Sequence, residues 1–346
     1  MPRRRTEPSG RIVLITGAAS GIGLATARLA AEQGARLVLT DVAAEGLDAA
    51  VESIRRPDDA PSAGPPGAAN QPGGGAGPGA ANQPGGGAGP GAANQPGGGA
   101  GPGAANQPGG GAGPGAANQH NVVLYHEAFD ISDAAAVQAF ADRVHERVGP
   151  VDVVMNIAGI STWGRIQDLQ PHHWRRTVEI DLMGPVHVMS AFVPAMIEAG
   201  RSGHVVNVSS AAGLFGLPLH APYSAAKFGL RGVSEVLRFD LERHGIGVTL
   251  VCPGAVRTPL VGTVDIVGVD RDDPQVKKAI AGFEKHAVTP EHAAALILKG
   301  MRRGRYLVLT SADIKLGYLA QRYFPIGYTI AMRLLNRKAH QVLRRL

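Results

Sequence analysis

Eight residues near the start of the chain, Thr16-Gly17-Ala18-Ala19-Ser20-Gly21-Ile22-Gly23, constrain its fold more than any other stretch. They follow a short apolar run, Ile12 to Ile15, and open a helix-period segment that continues to about Gln33. Three glycines at such a junction let the backbone turn sharply and approach a bulky anion. The helix that follows offers unpaired N–H groups and the positive end of its dipole. An acidic residue, Asp41, stands 18 positions beyond Gly23, after the next apolar run, where a carboxylate takes up the hydroxyls of an adenosine ribose. A carboxylate there repels a 2′-phosphate, and Ala18, Ala19 and Ser20 supply no compensating cation, so NAD is expected as cofactor ahead of NADP.

The rest of the chain repeats the same strand-then-helix rhythm. Strand-like runs fall at Ile12–Ile15, Arg36–Thr40, Val122–Tyr125, Val151–Met155, His204–Val208, Gly247–Val251 and Arg305–Leu309. Helix-period segments fall between them, at 43–56, 133–148, 171–199, 223–244 and 290–301. Seven short β-like runs separated by helices predict a single α/β domain over 11–311. Its centre is a doubly wound, seven-stranded parallel sheet of Rossmann type, with ligands at the carboxyl ends of the strands.

One insertion breaks the rhythm. From Pro66 to Gln119 the unit PGAANQPGGGAG runs four times and begins a fifth copy, without a charge or an aromatic residue. Apart from proline, no apolar side chain there is larger than Ala, so the segment is expected as a disordered insertion without catalytic role. Partner binding or phase separation is the alternative. It joins a helix to the next strand, at the edge of the sheet opposite the expected crevice. Closing such a loop costs roughly 1.5 kcal/mol more than a ten-residue one.

Charge is uneven. Residues 1–5 carry +3, residues 6–298 carry −7, and residues 299–346 carry 11 basic groups against Asp313 alone. Residues 1–10 read as a flexible basic leader, and 312–346 as a basic extension with Leu335, Ala339, Val342 and Leu346 in helical register. Such a helix, with Tyr318, Tyr323, Phe324 and Tyr328 upstream, suits an anionic membrane surface, or packing on the body or on a neighbouring subunit. No basic stripe with aromatic platforms points to nucleic acid. One cysteine, Cys252, excludes a disulfide scaffold and reads as a buried, inert thiol. Twelve histidines show neither HExxH nor a Cys/His cluster of metal spacing, so no metal site is assigned. No 18-residue stretch lacks charged or turn residues and no apolar leader follows Arg3-Arg4-Arg5, so a cytoplasmic protein is expected.

The second chemical signal is Tyr223-Ser224-Ala225-Ala226-Lys227, which sets Tyr223 and Lys227 four apart on one helix face. A free phenol titrates near 10, too high for acid–base work at neutral pH. A neighbouring ammonium, and a nicotinamide cation above it, are expected to favour the phenolate, and a drop of about 3 units requires roughly 4 kcal/mol. Ser210, 13 residues earlier and just past a strand, can orient a substrate oxygen.

Taken together, TGAASGIG, Asp41, Asp130 in FDISD, Asn156-Ile157-Ala158-Gly159, VNVSS ending at Ser210, YSAAK and PGAVRT at 253–258 resemble the short-chain dehydrogenase/reductase family. The resemblance covers about residues 11–310 apart from the repeat. It implies a hydride exchanged between nicotinamide and a carbinol or carbonyl carbon. Tyr223 would be the acid–base group, Lys227 would lower its pKa and hold the nicotinamide ribose, and Ser210 would stabilise the substrate oxygen. Thr16, Gly17, Ser20, Gly21, Ile22 and Gly23 would cradle the cofactor's phosphates. Asp130 and Ile131 would meet the adenine, and Asn156, Ala158 and Gly159 would flank the adenosine side. Pro253, Gly254, Val256 and Thr258 would lie at the carboxamide. A homodimer or homotetramer is also implied.

One position departs from the family pattern: Asp181 stands where an Asn is usual, in Asp181-Leu182-Met183-Gly184. It is expected to substitute for that Asn in a proton relay ending at Lys227, while partly neutralising the field on Tyr223. His220 and Trp163 are candidates for the pocket wall, and Leu260 to Phe283 for a mobile, partly apolar lid. The reading is an NAD-dependent dehydrogenase or reductase of a hydrophobic secondary alcohol or ketone. The rivals are an enzyme of the same fold that keeps its nicotinamide bound and passes electrons on, and a non-catalytic scaffold.

Overall fold

In a computed structural model the structure describes residues 6–55, 122–269, 273, 276–277, 281–282 and 287–344. The repeat at 66–119 and residues 1–5 lie outside the described residues, as does part of the expected lid.

The apolar runs become strands β1 (Ile12–Thr16), β2 (Arg36–Asp41), β3 (Val123–Ala128), β4 (Val153–Asn156), β6 (Gly203–Val208), β7 (Ile246–Cys252) and β9 (Leu307–Leu309). They pair in the order β3-β2-β1-β4-β6-β7-β9, every pair parallel. Successive side chains of a strand point to opposite faces, and each face here is covered. Val13, Ile15, Leu37 and Leu39 pack with Ala27, Leu47, Val51 and Ile297 on one side. Ile12, Leu14 and Val38 pack with Phe140, Val144, Val188 and Phe192 on the other. Continuous apolar strands are therefore what this architecture requires.

The covering helices are α1 (Gly21–Glu32), α2 (Ala44–Arg55), α3 (Ala134–Arg147), α4 (Pro171–Val178), α5 (Gly184–Glu198), α6 (Ala221–Asp240), the short α7 (Pro259–Thr263) and α8 (Pro290–Arg302). Two further helices, α9 (Ala312–Tyr323) and α10 (Pro325–Arg344), follow the sheet. Capping explains several starts. The Asp133 carboxylate accepts from the N–H groups of Ala135 and Ala136, and the Thr289 hydroxyl accepts from His292 N–H ahead of Pro290.

The sheet winds outward in both directions from β1 and β4, so the crevice at their carboxyl ends is the reversal point where such folds hold ligands.

Three features differ from the sequence reading. The segment expected as one helix over 171–199 contains a π-helical turn, Glu179–Met183, which re-aims Asp181. Two residues each, β5 (Thr162–Trp163) and β8 (Asp265–Ile266), form a small separate parallel sheet that ties the loop after β4 to the start of the lid. Two-residue strands carry no alternation to read. Thr6, expected in a flexible leader, is buried and bonds to His204, so the packed body begins by residue 6. Pro171–Glu198 is, among the described residues, the one helical stretch apolar and long enough to cross a bilayer; here Val188, Phe192 and Met196 pack it on the sheet.

Candidate active site

The glycine loop adopts the conformation its composition allows. Gly17 and Gly21 have φ of +72° and +53°, and a Cβ on Gly17 would lie 2.7 Å from Ala158 Cα. A Cβ on Gly23 would strike the carbonyl of Gly17. Ser20 stands at the N-cap of α1 without a side-chain capping bond, and the first turn carries no acidic residue. Thr16 Oγ1 accepts from the N–H groups of Ile157 and Ala158 at 3.1 and 3.2 Å, holding the loop after β4 against β1. The Asp41 carboxylate accepts from Ala19 N–H and Ala43 N–H, both at 3.0 Å, which fixes it at the edge of the loop. An uncapped, glycine-lined helix start flanked by a carboxylate fits a dinucleotide.

The other expected contacts divide. Gly159, Pro253, Gly254, Val256 and Thr258 line the same cavity as Ile22, and Ala158 lies against Gly17. Asp130 is exposed at the end of β3, where its carboxylate accepts from Ser132. Ile131 is buried under Gly184, and its carbonyl is bonded to the His187 ring. Asn156 is placed differently from the sequence reading: its side-chain amide donates to Asn207 Oδ1 at 2.8 Å inside the sheet. Asn207 in turn donates to Ser234 Oγ at 2.9 Å. Asn156 therefore joins β4, β6 and α6, and does not line the cavity.

Ser210, Tyr223 and Lys227 come together. Ser210 caps the 3₁₀ turn Ala211–Gly213, its hydroxyl accepting from Ala212 N–H at 3.1 Å, and lines the same cavity as Tyr223. Lys227, one helical turn from Tyr223, holds its ammonium 5.6 Å from the phenol ring centroid and donates to Val208 O at 3.3 Å. Ser209 Oγ donates to the Lys227 carbonyl at 2.9 Å and pins α6 to β6; nothing in its sequence position singled it out.

Asp181 completes the cluster. Oδ1 lies 3.6 Å from Lys227 Nζ and accepts from Ile160 N–H at 2.9 Å. Gly159 leaves room for the pair, since its Cβ would lie 2.7 Å from that oxygen. Burial pushes the Asp181 carboxyl above its ordinary range, against the pull of Lys227.

Tyr223 corrects a sequence expectation. In place of a lowered pKa, its phenol is held well above the ordinary value, first by burial and then by the Asp181 charge; the Ser210 hydroxyl pulls the other way. Spacing alone placed Lys227 beside the phenol, but the carboxylate beside Lys227 offsets its field.

Beyond these groups opens a cavity of about 670 Å³, walled by Phe215, Leu217, Leu219, Val264 and Ile266. Trp163 and His220 both reach it, their rings 4.4 Å apart. His220 Nδ1 is 2.6 Å from Pro218 O, and burial lowers its pKa, so the ring is neutral at pH 7. Leu219 carries φ of +68°, the only positive value for a non-glycine among the described residues; its backbone is held there by a 2.8 Å bond from Gly164 N–H. No residue type announces that strain. Cys252 sits buried under the site with its thiol pushed up to about 12 by desolvation.

Fold and cluster together define a dehydrogenase-type site. The short chain dehydrogenase family model matches residues 11–62 and 115–266, interrupted where the repeat lies, and the chain belongs to this family. It is 44% identical over 131 residues to trans-4-hydroxycyclohexanecarboxylate dehydrogenase of Sinomonas cyclohexanicum, covering 38% of this chain and 50% of that protein. It is 30% identical over 253 residues to D-threitol dehydrogenase of Mycolicibacterium smegmatis, 72% of each chain. The chain thus spans only half the length of the first of these relatives. A short-chain dehydrogenase/reductase from Burkholderia phymatum, solved in complex with NAD, superposes with a TM-score of 0.66 at 22% identity over 92% of this chain and 96% of that one.

Proposed function

We propose that the chain is an NAD-dependent dehydrogenase/reductase that interconverts a hydrophobic secondary alcohol and its ketone. The observation that carries this reading is that Ser210, Tyr223 and Lys227 line one apolar cavity together with Ile22 of the glycine-loop helix. The cavity's apolar walls, Phe215, Leu217, Leu219, Val264 and Ile266, favour a terpenoid, steroid or long-chain compound over a sugar.

The residues fit a nicotinamide dinucleotide. Thr16, Gly17, Ser20, Gly21, Ile22 and Gly23 would face the phosphates, and Asp41 would take the ribose hydroxyls with its remaining lone pairs. Asp130 and Ile131 would lie at the adenine, Ala158 and Gly159 along the adenosine, and Pro253, Gly254, Val256 and Thr258 at the carboxamide. When bound, that group supplies or accepts the hydride.

The chain's own residues handle the proton. Tyr223 Oη exchanges it with the substrate oxygen, and the Ser210 hydroxyl holds that oxygen in line. The phenol holds its proton at neutral pH, the state from which a proton is delivered in carbonyl reduction. Lys227 and Asp181 set the charge around it. On α6, exposed Phe228, Val236 and Phe239 support a homo-oligomer formed along that helix.

The test is a spectrophotometric screen of apolar alcohols and ketones with NAD and NADP. Tyr223→Phe is expected to lower kcat/KM about 10²–10⁴-fold with an unchanged melting temperature. Full turnover by that variant would refute the assignment.

A further inference from the structure

Helices α9 and α10 have two unlike faces. Toward the body, Ile314 and Tyr318 join the cluster of Phe215, Leu250 and Cys252, and Tyr328 packs edge-on against Phe215 at 6.4 Å. Ile314 and Ala339 line the cavity itself. The sequence pattern left Ala339 facing either a membrane surface or the body; the fold turns it inward. Away from the body, Leu316, Leu319 and Tyr323 follow one face of α9, with Phe324 at the turn, and Ile326, Ile330 and Leu334 follow one face of α10. These seven side chains are between 38% and 78% exposed. Exposed Lys315, Arg322, Arg333, Arg337 and Lys338 surround them, and none is paired with a carboxylate among the described residues.

We infer that this outward face of α9 and α10 docks on an anionic lipid surface. Large exposed apolar side chains at helical spacing seat in the boundary between headgroups and acyl chains, and the surrounding cations meet anionic headgroups. Tyr323 and Phe324, at the bend between the helices, are amphipathic and apolar anchors of the kind such interfaces hold. A second copy of this chain would bring the same five cations against the first set, so charge disfavours that occupant. Because the inward face walls the cavity, docking leaves about one helix diameter, ~10 Å, between lipid and substrate site. Resting on the proposed function, this gives a partner suited to the site: an apolar alcohol or ketone that partitions into the bilayer.

The test uses the full chain and flotation with vesicles of phosphatidylcholine, alone or mixed with phosphatidylglycerol. Binding is expected to the mixed vesicles only, weakening as salt is raised. Arg333→Gln with Arg337→Gln should lower the partition coefficient about fivefold per cation. Ile326→Ser, Ile330→Ser and Leu334→Ser combined should lower it by at least about tenfold. Circular dichroism and turnover of a water-soluble alcohol should not change, since these side chains touch neither core nor cavity. No binding to the mixed vesicles, or binding that survives the triple substitution, overturns the inference. A wild-type oligomer that dissociates on the triple substitution while ignoring vesicles assigns the face to a second copy instead. Vesicle binding is read without turnover, so a chain that floats and reduces nothing sinks the enzymatic reading and leaves the docking face standing.

Discussion

The ammonium of Lys227 lies 3.6 Å from the carboxylate of Asp181, with both side chains sealed from solvent. A π turn in the helix preceding β6 brings the two together, and the Asp181 charge adds to burial in raising the neighbouring phenol. An ion pair presents Tyr223 with little net charge, whereas a lone ammonium would favour its anion.

Asp181→Asn removes the carboxylate that raises Tyr223 and keeps an oxygen to accept from Ile160 N–H. With less negative charge nearby, the phenolate forms at lower pH. The limb of the pH–rate profile for alcohol oxidation that reports deprotonation should move toward acid. A profile that stays put removes Asp181 from the electrostatics of the site.

Gly17→Ala tests the loop. The new methyl meets Ala158 backbone 2.7 Å away, at a φ of +72° that L side chains avoid. The backbone penalty alone is about 1–2 kcal/mol. Melting should drop, and NAD affinity, read by fluorescence titration, should fall further than stability does. A variant that binds NAD as tightly as the parent contradicts the assigned cradle.

Asp41→Asn tests the choice of cofactor. The amide keeps one acceptor for Ala19 or Ala43 but loses the charge that, on the proposed reading, would repel a 2′-phosphate. The ratio of kcat/KM for NADP over NAD should rise about tenfold or more. An unchanged ratio means that Asp41 does not face the ribose.

His204 predicts an acid limit to stability. It is buried, bonded through Nε2 to Thr249 at 2.8 Å, and desolvation lowers its pKa from 6.5 to about 4. Between those values the unfolded chain binds the proton and the folded chain does not. Its contribution is therefore complete above pH 6.5 and is lost as pH falls toward 4, about 3 kcal/mol in all. Denaturant midpoints should fall across that window, and His204→Gln should flatten the fall. A wild-type midpoint constant from pH 7 to 4.5 contradicts this.

Much of the architecture could be read directly. Seven apolar runs became seven parallel strands because a strand buried on both faces must be apolar throughout, and Val13/Ile15 and Ile12/Leu14 divide between the faces as a period of two requires. The glycine loop was legible because few residues other than glycine accept the φ of Gly17 and Gly21. Tyr223 and Lys227 were legible because four residues make about one helical turn.

What the linear order could not decide was everything that depends on contacts between distant elements. Lys227 predicts a lowered phenol by spacing, yet the π turn at Glu179–Met183 carries Asp181 to it from 46 residues away, and burial then raises Tyr223. Asn156 reads as a cofactor contact until Asn207, on the neighbouring strand, claims its amide. Leu219 shows no strain until Gly164 holds its carbonyl, and Ala339 fits a membrane surface or the body equally until α10 folds back over the cavity. Periodicity and glycine placement are local steric properties, set within a few residues. Desolvation and charge coupling depend on which atoms the completed fold brings within a few ångströms.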